Sequence, residues 1–412
     1  MSIDSAAIDD AALTQAAGGD PQAAFAPAMP PDITVEIACD IASVARLKTE
    51  FAHLETATGN GLPFALFEWQ LTWCRHFLRC DKDAEDQPMF CIMRNDARVC
   101  VAILPLILTR RRVAGVGITF IGLLGADPAI TEIRTLLVQP GYEDRVAAAL
   151  HRTLPKSPDW DWMEWTGPCD RFGAAIGRLR GLDWQAVASN YVLDLPMTWE
   201  QFHVGLKRNI RESLRHCYNS LKRDGHRFDM KVAVSAIEIH EALERLFVLH
   251  SLRAKMTGTV EHADRFAGAN LRRFMRDVCR ELTTRSVVRI FELQISGRVV
   301  ASRIGFVVGD NLYLYYSGFD PEWARYGVMT TTVAEAIKYA IALGLQTVNL
   351  SPGNDQSKIR WGPREIRHQT TCEHGNRLRS RLALHMYQKA KSGGSLQGWL
   401  LQRIGTGRRV WN

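Results

Sequence analysis

The sequence has no C-x-x-C pair, and its nine cysteines (positions 39, 74, 80, 91, 100, 169, 217, 279 and 372) are scattered along 412 residues. Reduced thiols therefore fit better than a disulfide framework or a zinc site. No apolar run approaches the ~20 residues that a transmembrane helix needs. The nearest, 99–126, is cut by Arg110, Arg111 and Arg112. The N-terminus carries Asp4, Asp9 and Asp10 and has no basic segment ahead of an apolar one, so it does not read as a secretory signal. Also missing are a G-x-S-x-G elbow, a P-loop, an H-E-x-x-H pair and a dinucleotide fingerprint. The expectation is a cytoplasmic protein with neither metal nor resident cofactor, peripheral at most to the inner membrane.

What is present is ordinary globular composition with a basic bias. Apolar residues make up 46% and charged residues 23%, which excludes a disordered chain. The length exceeds one ordinary core, so two domains are expected. A formal charge of +7 favours an anionic partner, such as nucleotide phosphates, anionic lipid, an acidic glycan or RNA. A merely solvated basic surface satisfies the same count.

Residues 1–31 are rich in Ala, Pro, Gly and Asp and read as a disordered leader. A first unit, 32–195, begins with helices over 41–56 and 67–78, the second with Trp69, Trp73 and Phe77 along one face. A hairpin of 89–93 and 99–109, strands at 115–125 and 135–138, a helix at 143–154 and a strand at 160–165 follow. The second unit, 196–390, opens with a helix over 206–224. Its apolar stripe is Leu206, Ile210, Leu214, Cys217 and Leu221. Lys207, Arg208, Arg211, Arg215, Lys222 and Arg223 crowd its other faces. A short strand at 232–234 and helices at 236–256 and 265–283 lead to a meander of 288–295, 299–308 and 312–317. A helix at 328–343 and a strand at 347–350 complete it, and residues 391–412 form a basic tail. The repeated order predicts an α/β (α+β) chain with two copies of one fold, each a mixed, mostly antiparallel sheet flanked by helices.

Chemistry is expected at a few places. The junction from Gly318 to Met329 leads from a strand into a helix, whose free N–H groups and partial positive charge can seat a pyrophosphate. Arg325, Tyr326, Gly327, Val328, Met329 and Thr330 are the candidate donor-binding residues, although a glycine there also serves plain packing. The loop after the next strand offers Asn349, Lys358 and Trp361 for substrate. Solvation of the lysine and packing of the tryptophan are the alternative. On the helix at 236–256, His250 shares an apolar face with Leu243, Leu246 and Phe247, and Arg253 follows at about one turn. A histidine suits proton removal from an amine, but one on an apolar face also suits a satisfied core position. Strand alternation puts Tyr313 and Tyr315 on one face and Tyr316 on the other. Tyr316, a proton source for a leaving thiolate, and Asp320 join His250 as candidate catalytic residues.

These residues resemble the cellulose-biosynthesis acetyltransferase family of the GNAT superfamily. The resemblance runs over roughly 33–386 and includes Phe67-Glu68-Trp69-Gln70, Trp73, Ile103-Leu104-Pro105-Leu106 and the basic helix. It continues through His250, Arg253, Gly297, Ala301, Tyr315 to Asp320, Tyr326-Gly327, Gly344, Gly353, Lys358 and Trp361. It implies a tandem GNAT fold similar to the Fem-type ligases and a donor that is an acyl-CoA or acyl carrier protein. The implied acceptor is an amine, either an amino sugar of exopolysaccharide or adhesin synthesis or a sphingoid base, as in ceramide synthases. The phosphate loop departs from the usual run of glycines, keeping Arg325 and Gly327, and a long-chain donor on a carrier protein is compatible with that. The tail and basic helix would suit an anionic membrane surface. An aminoacyl-tRNA-dependent Fem-type ligase and a non-catalytic scaffold of a polysaccharide assembly are the rival readings. The absence of a coiled-coil arm argues against nucleic acid.

Overall fold

Both halves contribute strands, and among the described residues these join into one 14-stranded mixed sheet. The computed structural model describes residues 33–113, 116–125, 127, 129–154, 160–168, 171–256 and 262–392. The expected leader, and the expected tail beyond residue 392, lie outside these. The strands are β1 (Thr34–Ala38), β2 (Cys80–Asp81), β3 (Ala84–Arg94), β4 (Cys100–Val113), β5 (Val116–Leu123), β6 (Leu137–Val138) and β7 (Trp162–Pro168). They continue with β8 (Gln185–Asp194), β9 (Phe228–Ala233), β10 (Val288–Ile295), β11 (Arg298–Val308), β12 (Asn311–Phe319), β13 (Thr347–Pro352) and β14 (Arg364–His374). Across the sheet the order is β1-β3-β4-β5-β7-β14-β8-β13-β12-β11-β10-β9, with β2 on β3 and β6 on β4.

Neighbours are antiparallel except at two joints, β5–β7 and β12–β13. Each parallel joint follows a helical crossover, Glu143–Thr153 in the first half and Val328–Ala342 in the second, as a same-direction return requires. The architecture is thus mixed and mostly antiparallel, built twice. The halves also interleave: β14 pairs with β7 and β8, and β8 pairs with β13.

One sheet face is covered by a core drawn from both halves, with Phe51, Trp69, Phe274, Phe306 and Tyr315 in a single cluster. Arg285 ties the halves at its edge, donating to Glu68 at 2.8 Å and Glu55 at 2.7 Å. On the other face, the helices Arg208–Arg223 and Val328–Ala342 bury Leu214, Val333 and Ile337 against Leu312, Leu314 and Val348. The helix expected over 41–56 breaks at Arg46 and Leu47 into Ile41–Ala45 and Lys48–Thr58. The helices Arg171–Arg180 and Leu378–Ser392, with β8 and β14, were not anticipated.

The feature that positions the site is the short β12–β13 joint. Only Asn311–Thr347, Leu312–Val348 and Tyr313–Asn349 pair; beyond them β12 runs on to Phe319 and β13 to Pro352 without pairing each other. Two irregularities cause the opening. On β12 an extra residue is accommodated where Ser317 faces Arg303 but Leu314 faces Gly305. On β13, Ser351 sits at φ 68, held by its N–H donating to Asn349 Oδ1 at 2.9 Å.

Candidate active site

The parted strands leave a cleft of about 190 Å³. Ser317 and Phe319 of β12 and Leu350 of β13 form its walls, and Met329, Thr330 and Val333 of the helix Val328–Ala342 close one side. Arg253, Arg303, Lys358 and Arg360 also line it, with Ser357 and Trp361. Four cations line the space, and with Asp355 3.5 Å from Lys358 as their nearby acid the cleft remains net positive.

At the helix end, Gly327 has φ 63, and a Cβ there would lie 2.5 Å from Cys217 Sγ. Backbone conformation and packing both demand glycine. Thr330 and Thr331 donate their N–H groups back to Gly327 O at 2.8 and 3.2 Å. The N–H groups of Val328 and Met329 have no acceptor among the described residues. Arg360 donates to Thr330 Oγ1, which holds its guanidinium beside that end, and its buried Nε has no partner. Free amides, the helix dipole and a guanidinium suit a phosphate group.

Arg325 and Tyr326 do not reach the cleft. Arg325 is exposed, lies 4.7 Å over the Tyr326 ring and donates to its hydroxyl, which donates to Asp224 at 2.9 Å. The pair faces the basic helix Arg208–Arg223. Val328 is buried in packing. Lys358 lines the cleft, with Nζ donating to the Pro352 carbonyl and 3.5 Å from Asp355. Burial holds its pKa below the usual lysine range despite Asp355. Asn349 shapes the bend at Ser351 and is not part of the lining.

His250 has both ring nitrogens engaged by backbone. Nδ1 is 2.8 Å from Ser317 O, and the Arg265 N–H donates to Nε2 at 3.3 Å. A neutral ring protonated on Nδ1 satisfies both contacts, and burial depresses its pKa. No lone pair is left for an amine, so this geometry corrects the expected base to a tether between helix Ala236–Ala254 and β12. Arg253, on the same helix, does face the cleft and donates to Ser317 Oγ at 3.3 Å.

The bulge overturns the alternation expected for the tyrosines. Tyr313, Tyr315 and Tyr316 all reach one segment of the N-terminal half. They donate to Glu132 Oε2 at 2.6 Å, to Ile130 O at 2.7 Å and to Ala129 O. Tyr316 is therefore committed away from the cleft, and burial raises its pKa above the usual phenol value. Asp320 is buried, accepts the Glu322 N–H at 3.1 Å and pairs with Arg298. It caps the 3₁₀ turn Pro321–Tyr326 rather than serving the cleft.

Arg303 and Arg360 were missed from the sequence. Arg303 had a signal, as the lone charge in the apolar run 299–308. Arg360 lies two residues after Lys358.

FemX superposes with a TM-score of 0.52 at 10% identity, covering 78% of this chain and 94% of that one. A conserved protein of unknown function from Bacteroides thetaiotaomicron VPI-5482 gives 0.49 at 12% identity, covering 82% and 99%. A tandem GNAT protein from the clavulanic acid biosynthesis pathway gives 0.45 at 11% identity, covering 84% and 99%. The FemX likeness concerns the fold alone. No curated protein matches the sequence. Residues 208–358, which span the basic helix, the meander, the opened joint and Lys358, match the acetyltransferase (GNAT) domain family.

Proposed function

We propose that this protein is an N-acyltransferase that moves an acyl group from a CoA or acyl carrier protein thioester to an amine. The observation that carries the proposal is the β12–β13 opening, with a helix N-terminus and Arg360 at one side and three more cations around it. β12 and β13 do not pair each other beyond Tyr313 and Asn349, and backbone groups there that are not already taken, as Ser317 O is by His250 and Ser351 N–H by Asn349, can meet the amides of a pantetheine arm. Its phosphate would lie at Val328–Thr330 and Arg360. The amine then attacks the thioester carbonyl, and the cationic lining stabilises the developing oxyanion. Holding both substrates in one cleft supplies much of the acceleration by orientation.

The acceptor we propose is the amine of an amino sugar or of a sphingoid base. A positive lining favours an acceptor that also carries phosphate or carboxylate. We place the donor site in the unit 196–390. Exposed basic residues of the helix Arg208–Arg223, with exposed Met197 and Val204 shortly before it in sequence, support peripheral contact with an anionic membrane. Among the described residues, no helix is long and apolar enough to cross a membrane.

The test is transfer of label from radioactive acetyl-CoA, palmitoyl-CoA and carrier-bound acyl groups to glucosamine or sphinganine, with CoA binding followed by calorimetry. Amide product with any donor–acceptor pair supports the proposal. Neither transfer nor binding would end it.

A further inference from the structure

Residues 129–132 belong to the N-terminal half, yet they meet β12 of the other half. Three tyrosine hydroxyls grip them, at Ala129 O, Ile130 O and Glu132 Oε2. Trp69 Nε1 donates to Thr131 Oγ1 at 3.2 Å. A Cβ on Gly125 would fall 2.5 Å from the same Oγ1, so Thr131 is packed without slack.

This grip delivers the Glu132 carboxyl to Tyr313, the last β12 residue paired before the sheet opens. Glu132 makes no salt bridge among the described residues, and its second oxygen accepts no hydrogen bond there. The groups that act on it are Tyr313, Tyr315 and Tyr316 of β12, Arg303 of β11 and Lys358. Both cations line the cleft. Burial raises the carboxyl pKa to about 7, against the opposing pull of Tyr313, Lys358 and Arg303. An acid held this way lowers stability when ionised, so its retention in a rigid clamp points to use.

We propose that Glu132 is the general base of the transfer, a carboxylate lent by the N-terminal half to the cleft of the C-terminal half. The assignment rests on the acyltransferase reading above. As the amine nitrogen bonds to the thioester carbonyl carbon, Glu132, which stands behind the lining rather than in it, takes one N–H proton through a bridging water. The C–S bond breaks with its electron pair on sulfur, and the proton passes from Glu132 through solvent to give the free thiol. The acceptor thus approaches from the side of Glu132.

The experiment compares the full-length wild type with Glu132→Gln and Glu132→Asp, using whichever of glucosamine and sphinganine accepts label. In the Gln variant, kcat/KM should fall about 10²–10⁴-fold and the acidic limb of the pH profile should vanish, while CoA affinity by calorimetry stays unchanged. The Asp variant should recover part of the rate and the limb. Independently of turnover, ¹³C NMR of glutamate-labelled protein should show one carboxyl titrating near 7 that is missing from the Gln variant. An active wild type whose Gln variant keeps its rate and pH limb overturns this assignment alone, as does a Glu132 signal titrating near 4.5. A wild type that acylates no amine overturns the acyltransferase reading and this assignment with it.

Discussion

Replacing Gly318 with alanine tests whether the helix that carries His250 and Arg253 is set by direct contact with β12. A Cβ at this position would lie 2.5 Å from the carbonyl carbon of Leu249, 2.7 Å from His250 Cα and nearer still to His250 N. Ordinary contact begins at 3.4 Å, so the helix must retreat by about an ångström. The obstructing atoms are backbone, and no rotamer change relieves them. The cost should reach ~3 kcal/mol, the top of the usual range for overpacking. Scaled to a chain of 412 residues, that cost should lower Tm by roughly 3–5 °C. The same retreat loosens the His250–Ser317 and Arg253–Ser317 contacts at the cleft wall. A misplacement of that size lowers kcat/KM by about 10²-fold. Calorimetric unfolding and acyl transfer on the same preparation read both effects. A Tm within about 2 °C of wild type would show that the helix does not rest on β12 as described.

Other outcomes follow from the same geometry. Arg360→Ala removes one charge-assisted contact of ~1.5–3 kcal/mol, so CoA should bind about 10–150-fold more weakly with little change in Tm; unchanged affinity in calorimetry would move the phosphate elsewhere. His250 and His368 are buried with pKa values depressed by desolvation. Their unfolded forms take protons first as pH falls below about 6.5, so their stabilising contribution is complete above that value and is lost on acidification. Tm scans from pH 8 to 5 should decline from about 6.5, and a smaller decline is expected when either is replaced by phenylalanine. Glu132 has the opposite sign: its folded pKa is raised to about 7 from 4.5. Its contribution is present below 4.5 and lost as pH rises through 7. Glu132→Gln should therefore gain Tm over wild type increasingly between those values, and a constant difference would count against the raised pKa.

Long segments with strong periodicity were legible in the sequence. The helices Phe67–Phe77, Arg208–Arg223 and Val328–Ala342 and the meander β10–β12 sit within a few residues of where their patterns place them. β14 was not legible, because Arg364–His374 is polar and charged along its length. Several of its polar groups find their partners in distant segments, as Thr370 in Thr166 at 3.0 Å, His368 in Asn190 and Glu373 in Arg180, and no local pattern encodes such partners. The tyrosine assignment failed because alternation assumes a regular strand, whereas one extra residue on β12 turns Tyr316 to the side of its neighbours. At the site, Lys358, Trp361, Arg253, Met329 and Thr330 all line the cleft. Asp320 and Tyr326 are the right chemistry in the wrong place, consumed by a cap and by Asp224. Glu132 lies 181 residues before its partner Tyr313, a distance over which composition and spacing carry no information.

The most direct measurement is a crystal structure of the protein with CoA. The pantetheine arm should pass between the unpaired stretches of β12 and β13, with the pyrophosphate against the amides of Val328 to Thr330 and within hydrogen-bonding reach of Arg360. CoA bound away from this opening, or the two strands paired through it, would contradict the proposed donor site.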